Sequence, residues 1–235
     1  CLPQRDQAAE LHHRLVAWDA PGDRYSPDPA GAPGIDGWAD AAADLIRSLG
    51  YERSIVLGVS WGGVTATRLA LRNPDLVKAL ILADSSVGSG TSSKQAEAMR
   101  TRAASLTELG AAGFAEQRAP LLVAETTPSE VVENVQRLFA DSIRMPSYQW
   151  ACNSMAEADH RDLLSSIDAP TLVICGEEDR VAGGHCSHHG SLQTDLWVEG
   201  VQLLDFDAVP VGNPHLLPAT IQQLSTVLLD SISKM

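Results

Sequence analysis

A chain of 235 residues with 44% hydrophobic and 20% charged side chains is long enough for one well-filled α/β domain and too apolar to be disordered. Its formal net charge of -13 argues against nucleic acid and anionic membranes as partners, because both need clustered Lys and Arg to meet phosphates. No apolar run reaches the roughly 18 residues of a membrane-crossing helix, the opening CLPQRDQAAELHH lacks a signal-peptide core, and Cys1, Cys152, Cys175 and Cys186 show no disulfide spacing, so a reducing cytoplasm is the expected compartment.

The first apolar run, RLVAWD at 14–19, reads as a strand. Residues 36–49 then carry Trp38, Ala42, Leu45, Ile46 and Leu49 at helical spacing and stop at Gly50, which predicts a helix. SIVLGVS (54–60) is a second strand, followed by an Ala/Leu-rich helix over 61–72 that ends at Asn73-Pro74-Asp75, where proline cannot continue it. KALILAD (78–84), PTLVICG (170–176) and VQLLDF (201–206) complete a set of short Val/Ile/Leu-rich runs, the pattern of strands buried on both faces of a parallel sheet. Alternating strands and helices predict an α/β fold with right-handed crossovers.

Between 85 and 167 the alternation stops and the text is helix-rich: 93–119, 129–144 and 147–167. A stretch of roughly eighty residues without a strand predicts a helical lobe over the C-terminal edge of the sheet, where ligands of open α/β sheets bind. The plainer alternative is that these helices only cover one face of the sheet. GSGTSS (88–93) reads as a hinge-like loop. The expected organisation is a core of 1–84 and 168–235 with a cap of 85–167.

The chemistry centres on GVSWGG (58–63), a G-x-S-x-G pattern placed where a strand ends and a helix begins. Such a turn exposes the Ser60 hydroxyl above the sheet and aims the Trp61 N–H, at the positive end of the helix, toward a developing oxyanion. The alternative is a turn whose serine merely caps the helix.

On AWDAPG (17–22), GVSWGG (58–63) and IDAPTLVICGEEDRV (167–181) the chain resembles the α/β-hydrolase superfamily, in the helical-cap branch that includes esterases, lactonases, aminopeptidases and cofactor-free haloperoxidases. The resemblance covers nearly the whole chain. It implies an α/β-hydrolase-like, mostly parallel sheet with an inserted helical cap, N-terminally truncated, because the chain opens in what would be the helix before the family's fourth strand. Members carry earlier strands and an H-G loop that supplies a second oxyanion donor, and their third strand lies between the fourth and fifth. Its absence leaves a gap in the sheet or brings 14–19 directly against 54–60. Arg24 stands where members usually have the second glycine of G-x-G-x-S.

The resemblance further implies Ser60 as nucleophile and Asp179 as the acid that orients a histidine, with Glu177, Glu178 and Asp84 as rivals. Serine rather than aspartate at the elbow disfavours epoxide hydrolase and haloalkane dehalogenase chemistry. The base is implied in the loop after the last strand, where DAVPVGNPHLL (207–217) holds His215. The family's usual spacings from the strand and from the following proline both fall on Val211 instead. His185, Cys186, His188 and His189 in GGHCSHHG (183–190) are rivals for the base; their spacing is too tight for one tetrahedral zinc site, so no metal is expected. His12, His13 and His160 read as solvent-facing or cap-packing residues.

Serine acyl chemistry needs no cofactor. Trp61, Trp150, Tyr148, Met155 and Phe139 are candidates for an apolar substrate wall, with the core of the lobe as their plainer role. The expected function is hydrolysis of an ester, lactone or related acyl substrate, a small and apolar molecule, through Ser60, Asp179 and His215. The alternative is a catalytically impaired hydrolase-like scaffold that binds a ligand or acts without hydrolysis, as a cyclase would.

Overall fold

The computed structural model describes residues 14–176, 179, 181 and 201–203, the last three as backbone. His12, His13, Glu177, Glu178, the histidines and cysteine of 183–190, Val211 and His215 lie outside the described residues. The chain divides into two compact units, 1–19 with 206–235, and 20–205.

Of the first unit, residues 14–19 are described. They carry no regular secondary structure, and Leu15, Val16 and Trp18 are exposed. The strand expected for RLVAWD is therefore not formed. An apolar run becomes a strand only when a ladder pairs its backbone groups, and no described ladder includes these residues.

The second unit opens with helix α1 (Gly34–Ser48), followed by strand β1 (Ser54–Val59), helix α2 (Trp61–Arg72), a 3-10 turn at Pro74–Leu76 and strand β2 (Val77–Ala83). After the helical lobe come β3 (Thr171–Ile174) and β4 (Val201–Leu203). The described sheet is parallel throughout, in the order β1-β2-β3-β4. Strand β2 is its buried centre, with Val77 and Leu80 fully enclosed. Helices α1 and α2 close one face through Ala39, Ala43, Ala66, Leu69 and Ala70. Small alanines let the two helices approach each other closely and let both reach the sheet. Strand β1 departs from the expectation of burial on both faces. It lies at the edge of the described sheet, and Leu57 and Val59 are 59% and 54% exposed.

Residues 85–167 contain helices α3 (Ser93–Arg118), α4 (Ser129–Ser142) and α5 (Ser147–Glu157) and no strand. Ser92 caps α3 by accepting the Gln95 N–H. The helix is broken at Gly110, whose φ of 67° and ψ of 173° interrupt what the sequence predicts as one continuous helix. Val64 of α2 packs with Ala96, Met99 and Ala103 of α3 and with Cys152, Met155 and Ala156 of α5, which seats the lobe on the core. A ring cluster of Phe114, Phe139 and Tyr148 ties α3, α4 and α5 together.

The segment expected as a hinge is clamped instead. Gly90 N–H donates to Ala158 O at 2.8 Å and Ser89 N–H to Met155 O at 2.8 Å. A Cβ on Gly88 would collide with the Ala158 carbonyl. These glycines serve close backbone approach rather than freedom of movement. Among the described residues no helix is long and apolar enough to cross a membrane.

Candidate active site

Ser60 follows β1 and precedes α2 with φ 53° and ψ -120°, a strained conformation for a residue with a side chain, costing about 1–3 kcal/mol. Hydrogen bonds to its backbone hold it, Val64 N–H donating to Ser60 O at 3.3 Å among them. Ser60 N–H donates to Ala83 O at 3.0 Å, Gly63 N–H donates to Ser60 O at 2.9 Å, and the Ser85 hydroxyl donates to Ser60 O at 3.0 Å. The Ser60 side chain makes no capping hydrogen bond, so the hydroxyl is not consumed by the helix and the turn is not a mere cap.

The glycine requirement is located by sterics. A Cβ on Gly58 would strike the Gly62 carbonyl, and one on Gly63 would strike Ser85, whereas a Cβ on Gly62 would meet nothing within 4 Å. The sharp turn thus depends on Gly58 and Gly63, while Gly62 leaves open space beside Ser60.

Trp61 starts α2, where the first backbone N–H groups have no intrahelical acceptor. Its indole is fixed from two sides: Nε1 donates to Ser154 Oγ of α5 at 3.1 Å, and the ring stands edge-on to Trp38 at 5.0 Å. Elbow, α1 and lobe are joined at this side chain.

A pocket opens at the elbow. Ser60, Trp61 and Asp84 line it from the sheet side, and Arg102, Tyr148 and Met155 from the lobe. Of the residues expected as a substrate wall, Trp61, Tyr148 and Met155 line this pocket. Phe139 stands behind Tyr148, ring centres 6.4 Å apart, and Trp150 is not in the lining. Arg102 was not singled out by sequence. It sits one turn after Met99 on α3, and both side chains face the pocket, but only the fold shows which face of α3 that is.

The two acids meet beyond the sheet edge. Asp84, with φ 44°, donates its N–H to Ile174 O at 2.9 Å, and its Oδ1 accepts Gly176 N–H at 2.8 Å. Asp179 donates its N–H to Gly176 O at 3.0 Å, and its Oδ1 accepts Val181 N–H at 2.7 Å. One ligand atom from each of Asp84, Cys175 and Asp179 lies within 4.8 Å of the others. Burial pushes the Asp84 carboxyl above its ordinary value; the Gly176 N–H opposes that and the Asp179 charge adds to it. The three residues are the group among the described residues that would suit a cation, although a pair of carboxylates and a thiol at a strand end is equally at home orienting a histidine.

Burial pushes the Tyr148 hydroxyl up to about 12 and raises the Cys152 thiol, so both stay protonated at neutral pH. His160 is buried, 1% exposed, and neither ring nitrogen has a hydrogen-bond partner among the described residues.

The sequence matches the family described as alpha/beta hydrolase fold over residues 3–185. It is 29% identical over 188 residues to 3-oxoadipate enol-lactonase 2 of Acinetobacter baylyi, covering 76% of this chain and 69% of that protein. It is 28% identical over 185 residues to a 2-hydroxy-6-oxononadienedioate/2-hydroxy-6-oxononatrienedioate hydrolase of Pseudomonas, covering 74% of this chain and 64% of that one. Among solved structures, a thermophilic esterase from Thermogutta terrifontis superimposes with a TM-score of 0.80 at 24% identity, covering 99% of this chain and 84% of the esterase.

Proposed function

The chain belongs to the α/β hydrolase fold family, and from that premise we propose that it is a serine hydrolase of an ester, lactone or related small acyl compound. The observation that carries this reading is the backbone of Ser60: a strained, glycine-dependent turn that holds a hydroxyl free of capping at the mouth of a pocket. Strain of this kind clusters at functional sites. The name of one relative, an enol-lactonase, favours the same class of substrate.

In this mechanism Ser60 Oγ attacks the carbonyl carbon while a histidine takes its proton, and the oxyanion forms against the Trp61 N–H. The histidine then protonates the leaving oxygen, and water, deprotonated by the same base, releases the acyl group from Ser60. His215 takes this role, and Asp179 orients it and stabilises its imidazolium form.

The test is turnover of a panel of 4-nitrophenyl esters and small lactones by the wild-type protein and S60A. The expected loss in S60A is at least about 10⁴-fold in kcat. Equal rates in the two proteins would refute the assignment.

A further inference from the structure

Resting on the hydrolase reading of the Ser60 pocket, we propose that Arg102, backed by Arg118, forms an anion subsite there, and that the substrate carries a carboxylate in addition to its reacting acyl group. The residues expected to give an apolar wall are joined by a cation: Arg102 lines the same pocket as Ser60, beside Tyr148 and Cys152. Arg118, at the end of α3, is half-buried and close enough to Arg102 for the two charges to repel.

The chain has 30 acidic residues against 17 Lys and Arg, and Arg68, Arg72, Arg144 and Arg161 each hold a carboxylate within 3.1 Å. Among the described residues neither Arg102 nor Arg118 has a carboxylate partner. Two like charges brought together away from water are unfavourable unless something neutralises them. Burial, and after it the Arg102 charge, holds the Arg118 guanidinium below its usual value. Tyr148 and Cys152 stay protonated, so neither supplies the missing negative charge. The Tyr148 hydroxyl interacts with both Arg102 and Cys152, and the fork of Arg102 N–H groups beside it suits the two oxygens of a carboxylate. Asp84 borders the pocket on the sheet side, so an anion is directed toward the lobe and a neutral carbonyl toward Ser60.

The experiment compares two chromogenic esters of equal length, 4-nitrophenyl hydrogen glutarate and 4-nitrophenyl methyl glutarate, and measures glutarate binding by calorimetry. Wild type is expected to favour the free carboxylate in kcat/KM, chiefly through KM. In Arg102→Gln the ratio of the two values should fall about 10- to 100-fold, with part of it restored in Arg102→Lys. Glutarate should bind the wild type and lose at least tenfold in affinity in R102Q, on the same scale for a charged hydrogen bond. Hydrolysis of both esters with the same ratio in wild type and R102Q overturns the subsite and leaves the hydrolase reading standing. Inert esters with Arg102-dependent glutarate binding do the reverse. Neither turnover nor binding overturns the subsite. Should R102Q fail to fold, R102K reads the same ratio.

Discussion

His160 sits at the end of the lobe, fully enclosed, with Arg68, Asp159 and Asp36 as its charged neighbours. Burial, and after it the Arg68 charge, holds the imidazole down at about 4, against an ordinary 6.5. The folded protein therefore binds this proton less readily than the unfolded chain. The neutral ring's contribution to stability is complete above pH 6.5 and is lost as the pH falls toward 4. A shift of that size corresponds at most to about 3.4 kcal/mol at about 1.36 kcal/mol per unit. With allowance for water reaching the ring, about 1–2 kcal/mol of it is expected to disappear between pH 7 and 5. The assay is urea unfolding at pH 7, 6 and 5 of wild type and His160→Leu. Leucine fills a similar volume and leaves no unpaired nitrogen. The difference in unfolding free energy between the two proteins should move in favour of the variant by about 1–2 kcal/mol as the pH drops from 7 to 5. Parallel pH profiles would show that His160 is hydrated or paired and would refute the reasoning.

Three further outcomes follow from the elbow and its supports. Gly58→Ala and Gly63→Ala should each destabilise by about 2 kcal/mol or more, because the new methyl meets backbone in the first and the Ser85 Cβ, which side-chain rotation cannot move, in the second. Gly62→Ala has space and a helical setting and should be neutral or stabilising by up to about 1 kcal/mol; urea midpoints of the three variants decide the order. Ser154→Ala removes the acceptor of the Trp61 indole and should cost about 1–2 kcal/mol by the same measurement. Asp179→Asn should lower kcat by about 10³- to 10⁴-fold. Asp84→Asn keeps an acceptor for Gly176 N–H and should lower it much less; the reverse order would move the histidine-orienting role to Asp84.

Much of the fold was legible because it rests on local rules. The helix over 61–72 is bounded in the text by a serine turn and by Asn73-Pro74, and α2 occupies those residues. The four described strands fall within the runs read as strands or a residue away, because buried parallel strands leave unbroken Val/Ile/Leu runs. RLVAWD shows the limit of that signal: the same composition forms no strand where no ladder takes it up. The hinge reading of GSGTSS failed for a related reason. Glycine marks both free chain and close packing, and only the position of Ala158 distinguishes them.

The candidate site was legible in part. Ser60 and Trp61 announce themselves by a short contiguous motif. The meeting of Asp84 with Asp179, and of Arg102 with Arg118, is made by the fold, and nothing in the spacing of those residues along the chain marks it. Gly62, credited by the motif, has open space around it, while Gly63, which the motif omits, is packed against Ser85.

The measurement that tests the account most directly is labelling with a fluorophosphonate, beside an S60A control, with the adduct located by peptide mass spectrometry. A single adduct on Ser60 of the wild-type protein, absent from S60A, is the expected result. A folded wild-type protein that takes up no label at Ser60 would contradict the account.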